Sequence, residues 1–221
     1  MTKIFLTLLI VLSASACNTS GSNSGEKIIA KRSERQLELD QNKKLKKAYF
    51  AAGCFWCVEA IYESIKGVKE AVSGYAGGTT KNPNYKLVAY GKTDHAESVE
   101  VFYDPELVSF ETLVRVFYGS HDPTTRNQQG PDKGSQYRSI AFYSNDQEKE
   151  IVERVTKELN KSEFKNKITT EIKKINIFYK AEDYHQDYEK NNPNQPYVVA
   201  VSIPRLNKFK ARFPELLKDG E

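Results

Sequence analysis

The sequence predicts an α+β fold: an α/β two-layer sandwich with a ferredoxin-like core, a mixed sheet flanked by helices, and a long irregular C-terminal segment. Three observations predict it. Short apolar or alternating runs of strand length take turns with stretches of helical period between residues 48 and 178. No Pro/Gly/Ser-rich linker divides residues 48–221, so that stretch reads as one domain. Aromatic residues make up 11% of the 221-residue chain, too many for a disordered polymer and enough for a real core.

The elements follow in order. Ala48–Ala52 (AYFAA) is a short apolar run that reads as a buried strand, broken by Gly53. Phe55–Lys66 reads as a helix, with Val58, Ile61 and Ile65 along one side. Val68–Gly74 resembles a second strand, and Gly77-Gly78 a turn. Ser98–Tyr103 alternates and stops at Asp104-Pro105, so it is a third strand. Phe110, Leu113, Val114 and Phe117 fall at i, i+3, i+4 and i+7, which gives an amphipathic helix. Arg138–Tyr143 is strand-like. Asp146–Leu159 is helical, with Ile151, Val152, Val155 and Leu159 facing inward, and Ile172–Phe178 reads as a last strand.

The net charge of +4 has a location. Residues 26–47 carry eight basic and four acidic groups, whereas residues 48–221 net −1. The folded body therefore lacks the basic footprint that nucleic-acid binding needs, and no nucleic-acid partner is expected.

Residues 1–16 have the layout of a signal peptide: one cationic residue, Lys3, then the apolar run Ile4–Leu12, then small residues. That nine-residue run is too short to span a bilayer. Cys17 directly follows Ser13-Ala14-Ser15-Ala16, a placement that resembles a bacterial lipoprotein signal, although Ala14 stands where that motif more often has Leu. Residues 17–46 then form a tether. Asn18–Gly25 is a flexible linker, and the basic stretch after it reads as a solvated spacer. Residues 47–221 form the working domain. The expectation is a monomeric lipoprotein, anchored through Cys17 in a bacterial cell envelope and facing the periplasm or the exterior.

The chemistry centres on Gly53-Cys54-Phe55-Trp56-Cys57. Cys54 falls where a strand ends and a helix begins. Free N–H groups and the helix dipole favour an anion there, which would draw a thiol pKa down from ~8.5 toward ~3.5–7.5. Cys57, three residues on, lies in the first turn on the same face. Three readings compete: a structural disulfide, a metal site and a redox pair. His95, His121 and His185 are scattered and supply no second ligand pair, so no metal is expected.

Gly53-Cys54-Phe55-Trp56-Cys57 also resembles the signature of the A-type peptide methionine sulfoxide reductases. Further blocks are similar to that family's, in its order: Gly74–Gly78, Asn82–Tyr85, Asp94–Glu97, Asp132–Ser139 and Ala181–Gln186. The resemblance covers roughly Ala48 to Arg205. It implies that Cys54 attacks the sulfoxide sulfur and that Phe55 and Trp56 wall a methyl pocket. Glu97 would then protonate the oxygen, helped by Tyr85 and Tyr137, while Asp132 orders the pocket. His185 sits in a family block as pocket support. The implied cycle passes through a Cys54 sulfenic acid to a Cys54–Cys57 disulfide, which a thioredoxin-like dithiol reduces. It uses no bound cofactor. The resemblance also implies selectivity for the S epimer.

This chain departs from the family in one place. Many members have Gly where it has Cys57, and recycle through C-terminal cysteines. No cysteine follows Cys57 here, and Pro196-Tyr197-Val198 stands where some relatives have Cys after Pro-Tyr. The rivals are a membrane-tethered thiol–disulfide oxidoreductase of thioredoxin type and a binding lipoprotein with a structural disulfide.

Overall fold

The computed structural model describes residues 45–220. The expected signal peptide, Cys17 and all but the last two residues of the tether lie outside the described residues.

Strands β1 (Lys46–Ala52), β2 (Val68–Ala76), β3 (Ala96–Tyr103) and β4 (Ser139–Tyr143) form the centre of one sheet, with β5 (Glu171–Lys174) and β6 (Phe178–Lys180) at its edges. The order is β5-β4-β1-β3-β2-β6. All pairings are antiparallel except β4 with β5, so the sheet is mixed. Helix α1 (Phe55–Glu63) connects β1 to β2, and α3 (Phe110–Ser120) follows β3. With β3 inserted between the parallel β1 and β2, and β4 on the far side of β1, the inner four strands make the ferredoxin-like core. Between β2 and β3 lies the short helix α2 (Tyr85–Ala89), and α4 (Asp146–Ser162) follows β4.

The pleat sorts side chains to two faces. Ala48, Phe50 and Ala52 of β1 and Val99, Val101 and Tyr103 of β3 join Ile61 of α1 and Leu113 and Phe117 of α3 in the main core. Phe50 stacks on Tyr62 at 5.1 Å and on Phe117 at 5.4 Å. Ala51, Ala76, Ala96, Ile140 and Phe142 point to the opposite face.

The stretch expected as one strand over Ile172–Phe178 is two. β5 pairs with β4 at one edge and β6 with β2 at the other. Ile175, between them, and Phe178, the first residue of β6, pack on the second face of the sheet. Apolar residues three apart serve a segment that crosses a sheet face, where a period of two would serve a strand. β3 begins earlier than expected, at Ala96, so Glu97 lies within the strand and not before it. Residues 181–197 are mostly irregular. A π turn, Val198–Ser202, then leads into α5 (Ile203–Arg212), which packs against α1 and α3. Among the described residues, no helix is long and apolar enough to cross a membrane.

Candidate active site

The site is built on the turn between β1 and α1. Gly53 has φ +88°, and a Cβ there would fall 2.6 Å from Cβ of Gln129, so both the backbone and the space require glycine. Cys54 is the N-cap of α1. The helices α3 and α4 are capped by side chains: Ser109 accepts from the Thr112 N–H of α3, and Asn145 from the Glu148 N–H of α4. Cys54 offers no such hydrogen bond. The helix start is left to other acceptors.

Glu97 takes that place. It sits on the β3 face that carries Val99 and Val101, is 2% exposed, and its Oε2 accepts from the Phe55 N–H at 3.1 Å. Burial pushes its pKa up to about 8, against the lowering effect of that N–H. Its carboxyl therefore holds a proton at neutral pH. Tyr85, the first residue of α2, and Tyr137, in a turn at Ser135–Tyr137, both lie beside Glu97 and Cys54. Burial pushes Tyr85 up to about 12 and Tyr137 up as well, so both hydroxyls remain donors.

Cys54 and Cys57 are both free and buried. They behave as one unit: a proton shared between two adjacent sulfurs makes the first ionisation easy and the second hard. Cys57 is lowered to about 6, chiefly because the Cys54 thiol donates to it, with Arg205, Ser202 and Tyr197 adding to the effect. Burial and the neighbouring sulfur push Cys54 up. This reverses the expectation of a lowered Cys54. The first free amide of the helix is spent on Glu97, and the desolvated sulfur at the N-cap faces another anion.

The aromatic wall is layered. Phe55 is 1% exposed and forms the floor, with its ring 5.0 Å from His185, 5.9 Å from Tyr75 and 6.3 Å from Tyr85. Trp56 is half-buried and stacks on Tyr188 at 3.8 Å. Its Nε1–H donates to Nδ1 of His185 at 3.1 Å. His185 must therefore carry its proton on Nε2, which is buried without a hydrogen-bond partner and 4.0 Å from Glu182. Burial lowers its pKa and keeps the ring neutral. Asp132, on a hairpin formed by Gln128–Gln129 and Asp132–Lys133, accepts from the Tyr197 hydroxyl at 2.5 Å.

The structure thus brings Cys54, Phe55, Trp56, Cys57, Tyr85, Glu97, Asp132, Tyr137 and His185 to one place. Sequence reasoning missed Tyr197, Ser202 and Arg205. Ser202, Arg205 and Phe209 fall at i, i+3 and i+7, and Phe209 is 2% exposed. Two polar residues on the apolar side of a helix were the available signal. Behind them lies a cavity of about 390 Å³, which shares Asp132, Tyr197 and Arg205 with the site.

The histidines do not converge. His95 Nε2 bonds the Thr80 carbonyl at 2.7 Å, and His121 bridges the Phe117 carbonyl and the Ser139 hydroxyl. Among the described residues, the acidic group close enough to hold an ion is Glu59, Glu63 and Asp187. Glu59 already accepts from the Asp187 N–H at 2.7 Å and from Ser73.

Comparisons with known proteins give the family. The family described as peptide methionine sulfoxide reductase matches residues 46–217. The peptide methionine sulfoxide reductase MsrA 1 of Rhodopirellula baltica is 47% identical over 171 residues, covering 77% of this chain and 88% of that protein. MsrA of Trichodesmium erythraeum is 48% identical over 164 residues, 74% of this chain and 93% of that protein. Among solved structures, reduced Mxr1 from Saccharomyces cerevisiae is similar at a TM-score of 0.64 and 38% identity, over 69% of this chain and 88% of that one. Methionine sulfoxide reductase A of Corynebacterium diphtheriae gives 0.62 and 36%, over 69% and 77%. The thioredoxin-type alternative finds no support among them. The chain belongs to the peptide methionine sulfoxide reductase family, in its A-type branch.

Proposed function

We propose that the protein is a peptide-methionine (S)-S-oxide reductase that works through a Cys54 sulfenic acid and a Cys54–Cys57 disulfide. One observation carries the chemical reading: a buried carboxyl that keeps its proton, Glu97, is fixed to the helix start beside two free thiols.

The substrate methyl group rests against Phe55 and Trp56, and the S=O oxygen faces Glu97, Tyr85 and Tyr137. Cys54 sulfur bonds to the sulfoxide sulfur while its proton passes to Cys57 along the S–H···S contact. The oxygen takes the Glu97 proton. It then moves to Cys54 as a hydroxyl, and the S–O bond to the substrate breaks. Methionine leaves, reduced by two electrons, and Cys54 is left as a sulfenic acid. Cys57 attacks that sulfur, the disulfide forms, and the hydroxyl departs with the Cys57 proton as water. An external thioredoxin-like dithiol then supplies two electrons and two protons, restoring both cysteines and Glu97. Protein repair follows, because oxidised methionine in a polypeptide presents the same group as the free amino acid. No bound cofactor enters any step.

The first 46 residues suit an envelope setting: a signal peptide, lipidation at Cys17, and a basic tether holding the monomeric domain near the membrane. A cytosolic dithiol cannot reach such an enzyme, so electrons would arrive through a membrane relay.

A reductase assay with both sulfoxide epimers tests this reading. Wild type should reduce the S epimer, Cys54→Ser neither epimer, and Cys57→Ser one equivalent before stopping when the donor is poor in dithiol. Reduction of the R epimer at a comparable rate would sink the assignment.

A further inference from the structure

The Glu182 carboxyl reaches three walls of the site at once. Its Oε1 accepts from the Tyr85 backbone N–H at 2.9 Å, and its Oε2 accepts from the Tyr75 hydroxyl at 2.8 Å. The Nε2 of His185, buried and without a hydrogen-bond partner, stands 4.0 Å from that same Oε2. Each contact leads to a ring of the pocket. The Tyr85 ring lies 4.3 Å from His185 and 6.3 Å from Phe55. Tyr75 backs Phe55 at 5.9 Å and is the cross-strand neighbour of Glu97. His185 holds the Trp56 indole through Nδ1.

A glutamate with a third of its side chain exposed is ordinarily a solvated acid. Here the chain fixes it. Glu182 opens the turn Asp183–His185, two residues after β6, and the Ala181 N–H before it donates to the Ser73 carbonyl at 2.9 Å. The Gln186 side chain closes the turn on the same residue: it accepts from the Ser73 N–H at 3.0 Å and donates to the Ser73 carbonyl at 3.1 Å. Both ends of the turn are thus fastened to β2, with Glu182 held between β2 and α2. Burial pushes its pKa up, but the Tyr85 N–H, its own N–H and the Tyr75 hydroxyl outweigh that and keep it below the ordinary value. It is an anion at neutral pH. An anion on that side of the ring favours the His185 tautomer with its proton on Nε2, and Nδ1 then keeps the lone pair that the Trp56 N–H needs.

We propose that Glu182 is a positioning residue: its one carboxylate sets Tyr85 for the sulfoxide oxygen and holds His185 in the tautomer that fixes Trp56 for the methyl group. It acts through these rings and through Tyr75 behind Phe55. The two halves of the substrate group, one polar and one apolar, are thereby placed from a single anchor on the loop after β6. The inference rests on the reading of these rings as the pocket for methionine sulfoxide.

The chain has one tryptophan, so a single indole N–H resonance reports on Trp56. The test is an NMR spectrum of the reduced full-length protein at pH 7, with ¹⁵N-labelled histidine and tryptophan and the His185 peaks assigned through His185→Phe. Wild type should carry the His185 proton on Nε2 and exchange its indole N–H slowly. Glu182→Gln keeps an oxygen for the Tyr85 N–H but replaces the charge with an amide that turns an N–H toward Nε2. His185 should then move its proton to Nδ1, and the indole N–H should shift and exchange at least about tenfold faster. KM for a methionine sulfoxide peptide should rise about threefold to tenfold, with kcat within about twofold of wild type. Glu182→Leu also frees the Tyr85 N–H, and should lower kcat by about a further tenfold. The inference is overturned if wild-type His185 carries its proton on Nδ1, an outcome that needs no variant to fold. An unmoved tautomer and indole in folded Glu182→Gln overturn it equally, as do unchanged kinetic constants in both variants. If the resonances behave as stated but wild type does not reduce methionine sulfoxide, the fault lies with the proposed substrate and not with Glu182.

Discussion

The backbone N–H of Phe55 donates to the Glu97 carboxyl at 3.1 Å, so the first free amide of α1 serves the acid and not the nucleophile. This one bond ties the strand that carries the proton to the helix that carries both sulfurs. On the proposed mechanism the sulfoxide oxygen lies between Glu97 and Cys54, on the side of Tyr85 and Tyr137.

Glu97→Gln keeps an acceptor for that N–H and removes the proton. Its turnover should fall by about 10²–10⁴-fold with little change in KM. The wild-type pH profile of kcat/KM should rise near 6, as the thiol pair loses its first proton, and fall near 8, as Glu97 loses its own. Glu97→Gln should keep the lower limb and lose the upper one. A retained fall near pH 8 in the variant would remove Glu97 from the role of acid.

The same carboxyl affects stability. Its folded pKa stands above its ordinary value, so the folded state favours the protonated form. Wild type loses stability relative to Glu97→Gln as pH rises from about 4.5 to about 8, and the difference is constant above that. Thermal unfolding should show the two proteins alike at pH 4 and the variant more stable at pH 9 by on the order of 5 kcal/mol.

Gly53→Ala would force a Cβ onto Gln129 at a φ that L residues avoid. Unfolding in urea should reveal a loss of at least about 2 kcal/mol. Activity should fall further than stability, because the strain lies directly before Cys54.

His185→Phe fills the same space but cannot accept from Trp56. Freed from that bond, the indole should hold the methyl group less well. KM for a methionine sulfoxide peptide should rise about threefold to tenfold, with kcat nearly unchanged. A large fall in kcat would show that His185 acts on the reacting atoms.

Much of this was legible in the residues. The helices at Phe110–Ser120 and Asp146–Ser162 announce themselves through their apolar period, and Cys54 at a strand-to-helix turn follows from Gly53 and the run before it. Two things were not. The splitting of β5 from β6 depends on which sheet edges remain open, a tertiary matter that no local pattern carries. The approach of Arg205 to the turn is tertiary as well: the residue is distant in sequence and donates to the carbonyls of Ala52 and Ser120. Glu97 was found through its sequence block. That it would claim the helix amide, and so leave Cys54 without it, required the register that sets Glu97 opposite Tyr75.

The most direct test of the account is mass spectrometry of the reduced protein after reaction with one equivalent of methionine S-sulfoxide and no dithiol. The account predicts loss of two hydrogens and a peptide linking Cys54 to Cys57. A Cys54 that gains one oxygen and persists as a sulfenic acid, with Cys57 still free to alkylate, would contradict it.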